Sequence, residues 1–275
     1  ATCGGMGLTG IILSAKIKLV ELNTPNMKIT NFFFRDYDKL VNFLIKRESG
    51  YSVTWVDFYS IKNKKLRAIF SEGIFTKYKK VIKENSIKIP NFILKLYFNL
   101  YFIKFFNLIF FNVNKLKKIK YKNYRNFLLP FDNFSYTSNF YGNFNIIQVQ
   151  IIIKKKDLKR KLIDFFNKIK KHNLNCFLIG IKKLGKPNKN FLSFPDKGFT
   201  VTVDLIFNKK FKNEFKKFQN ELLNENFKIY LTKDILLNKN AFNKTYPNVK
   251  KFLIIKKKYD PNNKFYSLLF SRIFQ

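Results

Sequence analysis

Two glutamines stand out as side chains that could act on a polar substrate. Gln148 and Gln150 alternate with apolar residues in IIQVQIII, a pattern typical of a β-strand. Because successive side chains of a strand point to opposite faces, the two amides would share one face and could hydrogen-bond sugar hydroxyls there. A solvent-facing polar edge explains the pattern equally well, so the sequence leaves both interpretations open.

A lysine forms the second candidate site. Lys233 follows Tyr230 by three residues in YLTKD, at the end of a predicted strand. An ammonium there can stabilise negative charge that develops on a bound group during a reaction. The chain contains 54 Lys and Arg residues, however, and most of them must be solvated, so Lys233 gains meaning only from its surroundings.

Other kinds of catalytic site are disfavoured. The only histidine, His172, has no nucleophile or orienting carboxylate in its own segment, and we expect it at the surface. Cys3 and Cys176 fit no metal-binding spacing and are expected to be buried free thiols. The sequence therefore predicts neither a metal site nor Ser/His/Asp catalysis.

The formal net charge of +37 suggests at first a nucleic acid or an anionic membrane as partner. A genome drifting toward A and T offers a simpler explanation, because Lys, Asn, Ile, Phe and Tyr are all abundant. Arg-rich patches, RNP motifs and zinc-finger spacings are missing, so no nucleic-acid partner is expected. A basic, aromatic-rich RNA-binding or ribosomal protein is kept as the alternative from another class.

Apolar periodicity predicts strands that alternate with helices. A helix over 34–47 leads into a strand at 51–57, and two strand-helix-strand units follow from residue 146 onward. The apolar stripes of the three helices comprise Tyr37, Leu40, Val41, Phe43 and Leu44, then Leu158, Leu162, Phe165, Phe166 and Ile169, then Phe211, Phe215, Phe218 and Leu222. We predict an α+β fold with a mixed or antiparallel sheet covered by helices on one face.

The chain opens on ATCGGMGLTGIILSAKIKL, which we interpret as a Gly-rich turn that runs into a strand. Glycine allows a backbone to approach a phosphate or a planar ring closely, although such a turn is often only a turn. A natural protein rarely starts inside such a unit, so we expect further sequence upstream of Ala1.

The run 91–113 has the apolar content of a membrane span. Lys95 and Lys104 within it each cost ~3 kcal/mol at the centre of a bilayer, which offsets most of the contribution of about fourteen apolar residues. We therefore predict an interfacial or core-packed segment. The basic run 115–125 that follows would suit an anionic lipid surface or an ordinary solvated loop.

Several ordered segments resemble one enzyme family, the flavin-linked sugar oxidases related to decaprenylphosphoryl-ribose 2-oxidase in the vanillyl-alcohol-oxidase superfamily. These segments are GGMGLTGII (4–12), YSVTWVD (51–57), the stretch 129–150 that ends in QVQ, the stretch 181–204 with LSFPDKGFTVTVD, YLTKD (230–234) and KYDPNNKFYSLLFSR (258–272). The resemblance implies three parts: residues 1–20 as the end of an FAD-binding domain, 21–235 as a substrate-binding domain, and 236–275 as a segment that returns toward the flavin.

The resemblance also implies roles for individual residues. Lys233 and Tyr230 would be catalytic, with Lys233 at the N1/O2 edge of the flavin. The implied cofactor contacts are Gly5, Met6, Gly7, Ile12, Tyr230 and Lys233, and the implied substrate contacts are Trp55, Gln148, Gln150, Lys182, Thr200 and Thr202. Thr200 and Thr202 depart from the Asn and Cys of the best-known members, and the turn at Asp260 is expected to be structural.

The implied activity is FAD-dependent oxidation of a secondary alcohol of a pentose linked to a polyprenyl phosphate. The implied partners are that lipid-linked sugar, a reductase that completes an epimerisation, and a membrane surface contacted peripherally. The expected location is the cytoplasm, at the inner membrane. Because the flavin-phosphate loop is expected upstream of Ala1, the chain alone should bind FAD poorly and be inactive.

Overall fold

The computed structural model describes residues 1–77, 82–83, 87–88, 99–130, 134–135, 146–207 and 211–274. The strands are β1 (Asn26–Asp36), β2 (Tyr51–Lys62), β3 (Lys65–Phe75), β4 (Ile87–Lys88), β5 (Ile119–Asn123), β6 (Phe134–Ser135), β7 (Ile146–Ile153), β8 (Asn175–Leu184), β9 (Gly198–Ile206) and β10 (Lys228–Ile229). The helices are α1 (Tyr37–Lys46), α2 (Leu100–Leu116), α3 (Tyr124–Leu128), α4 (Leu158–Lys171), α5 (Lys212–Asn224), α6 (Lys239–Thr245), α7 (Val249–Tyr259) and α8 (Leu268–Phe274).

Eight strands form one sheet in the order β10-β7-β9-β8-β2-β3-β1-β5, and its neighbouring strands pair antiparallel. The sheet consists of two halves, β5-β1-β3-β2 and β10-β7-β9-β8, that have the same strand arrangement. In each half, a helix connects two strands that are parallel and separated by a third, as in ferredoxin-like units. The halves join edge to edge where Trp55 of β2 pairs with Gly180 of β8.

Three helices cover one face of the sheet. The Tyr37 hydroxyl of α1 donates to the Lys159 carbonyl of α4 at 2.7 Å, and Phe165 of α4 meets Phe218 of α5 with ring centroids 6.3 Å apart. The apolar stripes predicted for these helices are buried, except that Phe43 is partly exposed and Phe211 precedes α5 as its N-cap residue. The predicted α+β fold is confirmed.

The opposite face carries α2, which was not predicted as a covering helix. Phe111 of α2 packs edge-on against Phe33 of β1, and Phe110 packs against Trp55 of β2. The Asn107 amide donates to Asp57 Oδ1 at 2.9 Å, so a buried polar contact also anchors the helix. Across the described residues, every helix is too short or too polar to cross a bilayer. Residues 91–98 of the apolar run lie outside the described part.

Several local predictions are wrong. Residues 11–22 form no strand and expose their apolar side chains, because they find no pairing strand among the described residues. Cys3 is exposed. His172 is buried instead of exposed, and its Nδ1 lies 3.1 Å from a Glu214 carboxylate oxygen. Strand β10 ends at Ile229, and Lys233 instead ends a 3-10 turn, Leu231–Lys233.

Candidate cofactor and substrate site

Six of the predicted site residues share one face of the sheet, together with Asp204, which the sequence did not single out. We call this surface the polar sheet face, and it comprises Trp55 on β2, Gln148 and Gln150 on β7, Lys182 on β8, and Thr200, Thr202 and Asp204 on β9. Strand register aligns them in three rows: Gln150, Thr202, Gly180 and Trp55; Gln148, Asp204 and Leu178; and Ile152, Thr200 and Lys182.

The alternation of side chains along the strands produces this face. Residues between the polar ones, such as Val149, Ile151, Val201 and Val203, point the other way and are buried in the core beneath the helices. Slipping a strand by one residue would bury the amides and expose the valines, so the hydrophobic pattern fixes the polar face.

Each glutamine donates an amide N–H to a side chain of the neighbouring strand β9. Gln150 Nε2 donates to Thr200 Oγ1 at 3.0 Å, and Gln148 Nε2 donates to Asp204 Oδ1. An amide that donates inward through its nitrogen keeps its carbonyl oxygen for another partner. Both glutamines can therefore accept hydrogen bonds from hydroxyl groups of a ligand.

Asp204 is an unusual carboxyl group, because it is 1% exposed and lies within a strand. Its Oδ2 has no hydrogen-bond partner among the described residues. Burial raises the pKa of Asp204 to about 6, although the hydrogen bond from Gln148 and the charge of Lys233 act to lower it. A carboxyl group with such a pKa can change protonation near neutral pH.

Gly180 leaves an opening in the polar sheet face between Thr202 and Trp55. A Cβ added at Gly180 would have no heavy atom within 4 Å, so space exists above its backbone. One side of this opening is walled by Trp55, whose ring lies 5.0 Å from that of Phe110 on α2. A flat ligand can thus approach the strands at this point.

Tyr230 and Lys233 lie at the other side of the polar sheet face. The Tyr230 N–H donates to the Gln150 carbonyl at 3.0 Å, which continues the pairing beyond β10. The centroid of the Tyr230 ring lies 4.6 Å from that of Phe194, with the two rings tilted by 32°. Lys233 is exposed, yet its charge reaches Asp204. Lys182 is also exposed, so its ammonium is available to a ligand.

Asp234 holds the turn that carries Lys233. It accepts hydrogen bonds from the N–H groups of Leu236 and Leu237 at 2.6 and 2.8 Å, and Arg272 of α8 pairs with its Oδ2 at 2.9 Å. Burial raises the pKa of Asp234, and these hydrogen bonds and the Arg272 charge counteract the rise. The backbone next to Lys233 is therefore tied to the end of the chain.

The Gly-rich turn contacts the loop that bears Phe194, whose ring lies against Tyr230. A Cβ on Gly5 would lie 2.3 Å from the Ala1 carbonyl oxygen, so this tight turn requires glycine. A Cβ on Gly4 would lie 3.7 Å from Asn190, in the loop that also bears Phe194. Gly5 is buried, Met6 is partly exposed, and Ile12 is 62% exposed. Their cofactor contacts stay a prediction.

A buried ion pair that the sequence did not indicate secures this turn. The Lys256 ammonium, 2% exposed, donates to Leu8 O at 3.1 Å, to Asp260 Oδ2 at 2.6 Å and to Phe265 O at 3.0 Å. Burial alone would raise the pKa of Asp260, but the hydrogen bonds from Lys256 and from two backbone N–H groups outweigh it and lower the pKa. Asp260 thus links the turn, α7 and the C-terminal segment.

The chain is similar in sequence to a known oxidase. The chain is 24% identical, over 99% of its length, to decaprenylphosphoryl-beta-D-ribose oxidase of Mycolicibacterium smegmatis, and it spans 62% of that relative's length. No family model matches the chain.

Two solved structures each align with 88% of this chain. Berberine bridge enzyme from Eschscholzia californica aligns over 54% of its own chain with a TM-score of 0.46 and 11% identity. 4-Ethylphenol oxidase from Gulosibacter chungangensis, in complex with isoeugenol, aligns over 53% of its own chain with a TM-score of 0.42 and 7% identity. At these TM-scores neither likeness carries a functional conclusion. The sequence match extends over nearly the whole chain, however, so it confirms the chain's similarity to decaprenylphosphoryl-beta-D-ribose oxidase.

Proposed function

We propose that this chain forms the substrate-binding part of an FAD-dependent oxidoreductase. The reaction removes a hydride from a secondary alcohol carbon of a pentose linked to a polyprenyl phosphate. A second protein that reduces the resulting ketone completes an epimerisation of the sugar. The proposed location is the cytoplasmic surface of the inner membrane.

The polar sheet face is the observation that carries this proposal. Six side chains that the motifs single out lie in three adjacent rows, although they come from four strands spread over about 150 residues of sequence. Their chemistry suits a sugar, because Gln148 and Gln150 offer carbonyl oxygens, Thr202 offers a hydroxyl and Lys182 offers a cation. Apolar contact with Trp55 complements these polar groups.

The same surface fits a planar cofactor. Gly180 provides the open approach, and Lys233 provides an exposed cation next to the buried Asp204. FAD, when bound, supplies the ring that accepts the hydride. The chain's own contribution would be electrostatic, because the Lys233 ammonium would stabilise negative charge on a reduced ring. Tyr230 would line the same site.

Helix α2 supports the lipid-linked part of the proposal. It lies on the polar side of the sheet beside Trp55, and its outer surface exposes apolar side chains, among them Tyr101, Phe105, Val113 and Leu116. Residues 99–125 contain no Asp or Glu, but they contain six lysines and Arg125. An apolar helix surface flanked by cations alone suits an anionic bilayer.

An RNA-binding role is not favoured. RNA-binding sheets of the RRM type stack bases on aromatic rings of their central strands. On the polar sheet face, β7, β9 and β8 present Gln, Thr and Lys side chains instead, and the aromatic ring of this surface, Trp55 on β2, packs against Phe110 of α2.

The test uses the protein expressed from the complete reading frame, which we expect to carry a bound flavin with its visible absorbance. Lys233→Met keeps the length of the side chain but removes the charge. We expect it to slow anaerobic flavin reduction by a ribose 1-phosphate ester of a short prenyl alcohol by about 100-fold, the effect of losing one charge-stabilising group. Stopped-flow absorbance measures this rate.

Lys250→Met, at an exposed position of α7, is the matched control and should reduce its flavin at the normal rate. A complete protein that binds no flavin contradicts the proposal. So does a Lys233→Met variant that is reduced as fast as the unaltered protein.

A further inference from the structure

The pair formed by Asp204 and Gln148 has two possible hydrogen-bonding states. An ionised carboxylate accepts hydrogen bonds only, so it must bind the Nε2 side of the glutamine amide, as the structure has it. A protonated carboxyl group can donate as well as accept. Because Asp204 Oδ2 has no partner among the described residues, the proton gains a hydrogen bond only on the oxygen that faces Gln148, and that donated hydrogen bond requires the Oε1 side of the amide. Rotation of the terminal amide by half a turn interchanges these two sides.

Among the described residues, few charged or titratable groups face this carboxyl group from the elements around it. Lys233 does so from the turn after β10, and its charge favours the ionised state. The buried thiol of Cys176, on β8, interacts with Asp204. Burial and, to a lesser degree, the charge of Asp204 raise the pKa of this thiol, so it stays neutral. From β7 comes the neutral Gln148. Burial opposes ionisation and Lys233 supports it, which keeps both states accessible.

We propose that Asp204 is a positioning residue that selects, by its protonation state, which end of the Gln148 amide faces the sugar. Ionised Asp204 holds Nε2 and turns Oε1 toward the cleft as a hydrogen-bond acceptor for a hydroxyl. Protonated Asp204, with a proton taken from solvent, donates to Oε1 and turns Nε2 outward, where it can no longer accept. The inference rests on the proposed function, because it assumes that the polar sheet face binds a hydroxylated substrate.

Gln150 provides an internal comparison on the same strand. Its Nε2 is bound by Thr200, whose hydroxyl does not ionise, so its orientation should not depend on pH. The two neighbouring glutamines therefore differ in one respect, the ionisable partner. This difference makes the proposal testable within a single molecule.

The experiment follows the side-chain NH₂ signals of ¹⁵N-glutamine by NMR as the pH is varied. The Gln148 signals are identified by their loss in Gln148→Met. We expect them to shift with a midpoint near pH 6, at the pKa of about 6 that burial gives Asp204. The Gln150 signals should stay constant, and the Gln148 shift should vanish in Asp204→Asn. If Asp204→Asn does not fold, the pH titration of the Gln148 and Gln150 signals in the unaltered protein still tests the proposal.

Calorimetric titration with the ribose ester then measures Kd at pH 5 and pH 8. Loss of one acceptor should weaken binding about tenfold at pH 5 in the unaltered protein. That ratio should approach one in Asp204→Asn and persist in Asp164→Asn, a partly exposed control on α4.

A Gln148 signal without a pH midpoint, or a Kd ratio that Asp204→Asn leaves unchanged, overturns the proposal. Absence of bound flavin would instead refute the oxidase function, while the NMR titration would still decide the role of Asp204.

Discussion

At the scale of single residues, the buried Asp204 should cost stability when it ionises. Its pKa of about 6 in the folded protein exceeds the ordinary 3.8, so the folded state favours the protonated form. This stabilisation is complete below pH 4 and is lost as the pH rises through about 6. The difference amounts to ~3 kcal/mol at pH 8.

Asp204→Asn keeps the shape of the side chain without its charge. We therefore expect Tm to rise by several degrees at pH 8 and to change little at pH 4. Thermal unfolding followed by circular dichroism at both pH values measures the effect, with Asp164→Asn as the control. An equal change of Tm at pH 4 and pH 8 would show that ionisation of Asp204 is not the cause.

The position of a single side chain could be predicted only where the sequence pattern around that residue determines it. Gln148 and Gln150 could be placed on one face because alternation along a strand determines it. Asp204 carried a weak signal, a charged residue at an alternating position of the apolar strand TVTVDLI. Lys256 carried none, because burial of one lysine among many depends on a contact with Leu8, which is distant in sequence.

At the scale of elements, Asn107 anchors α2 to the sheet. Its amide donates to Asp57, which is fully buried and also bound by Arg67 at 2.9 Å. Asn107→Ala leaves the Asp57 oxygen without this donor and should lower the free energy of unfolding by ~1–3 kcal/mol. Urea unfolding measures it. Asn112→Ala, at an exposed position of the same helix, should change stability little, and an equal loss in both variants would refute the anchoring role.

Hydrophobic periodicity was sufficient to predict the helices and strands that bury one face. The stripes of α1, α4 and α5 and the strands β2, β7, β8 and β9 follow from it directly. The predicted strand after the Gly-rich turn is absent because strand propensity produces a strand only where a partner strand is available. The position of α2 on the second face depends on tertiary contacts with Phe33 and Trp55, which periodicity cannot reveal.

At the scale of the whole molecule, the sheet separates a helix-covered side from a side that carries both the polar sheet face and α2. We expect the protein to bind vesicles of phosphatidylglycerol and phosphatidylcholine more tightly than vesicles of phosphatidylcholine alone, because only the former attract its lysines. Replacing Phe105 and Leu116 by Ser should weaken binding at least tenfold, since burying one large apolar side chain contributes ~1.5–3 kcal/mol. Co-sedimentation measures the bound fraction.

Ile254→Ser is the matched control, because Ile254 is 71% exposed on a different helix, α7. It should leave vesicle binding unchanged. Equal binding to both kinds of vesicle, or an equal loss in the control, would exclude α2 as the contact surface.

The buried ammonium of Lys256 has a consequence for the chemical behaviour of the folded chain. Its N–H groups are engaged by Leu8, Asp260 and Phe265, and the side chain is 2% exposed, so an acylating reagent cannot reach the nitrogen. An amine-modifying reagent should leave Lys256 unmodified while residues 1–10 stay docked, and should modify it once they detach. Modification of Lys256 therefore reports whether residues 1–10 remain packed against the C-terminal segment.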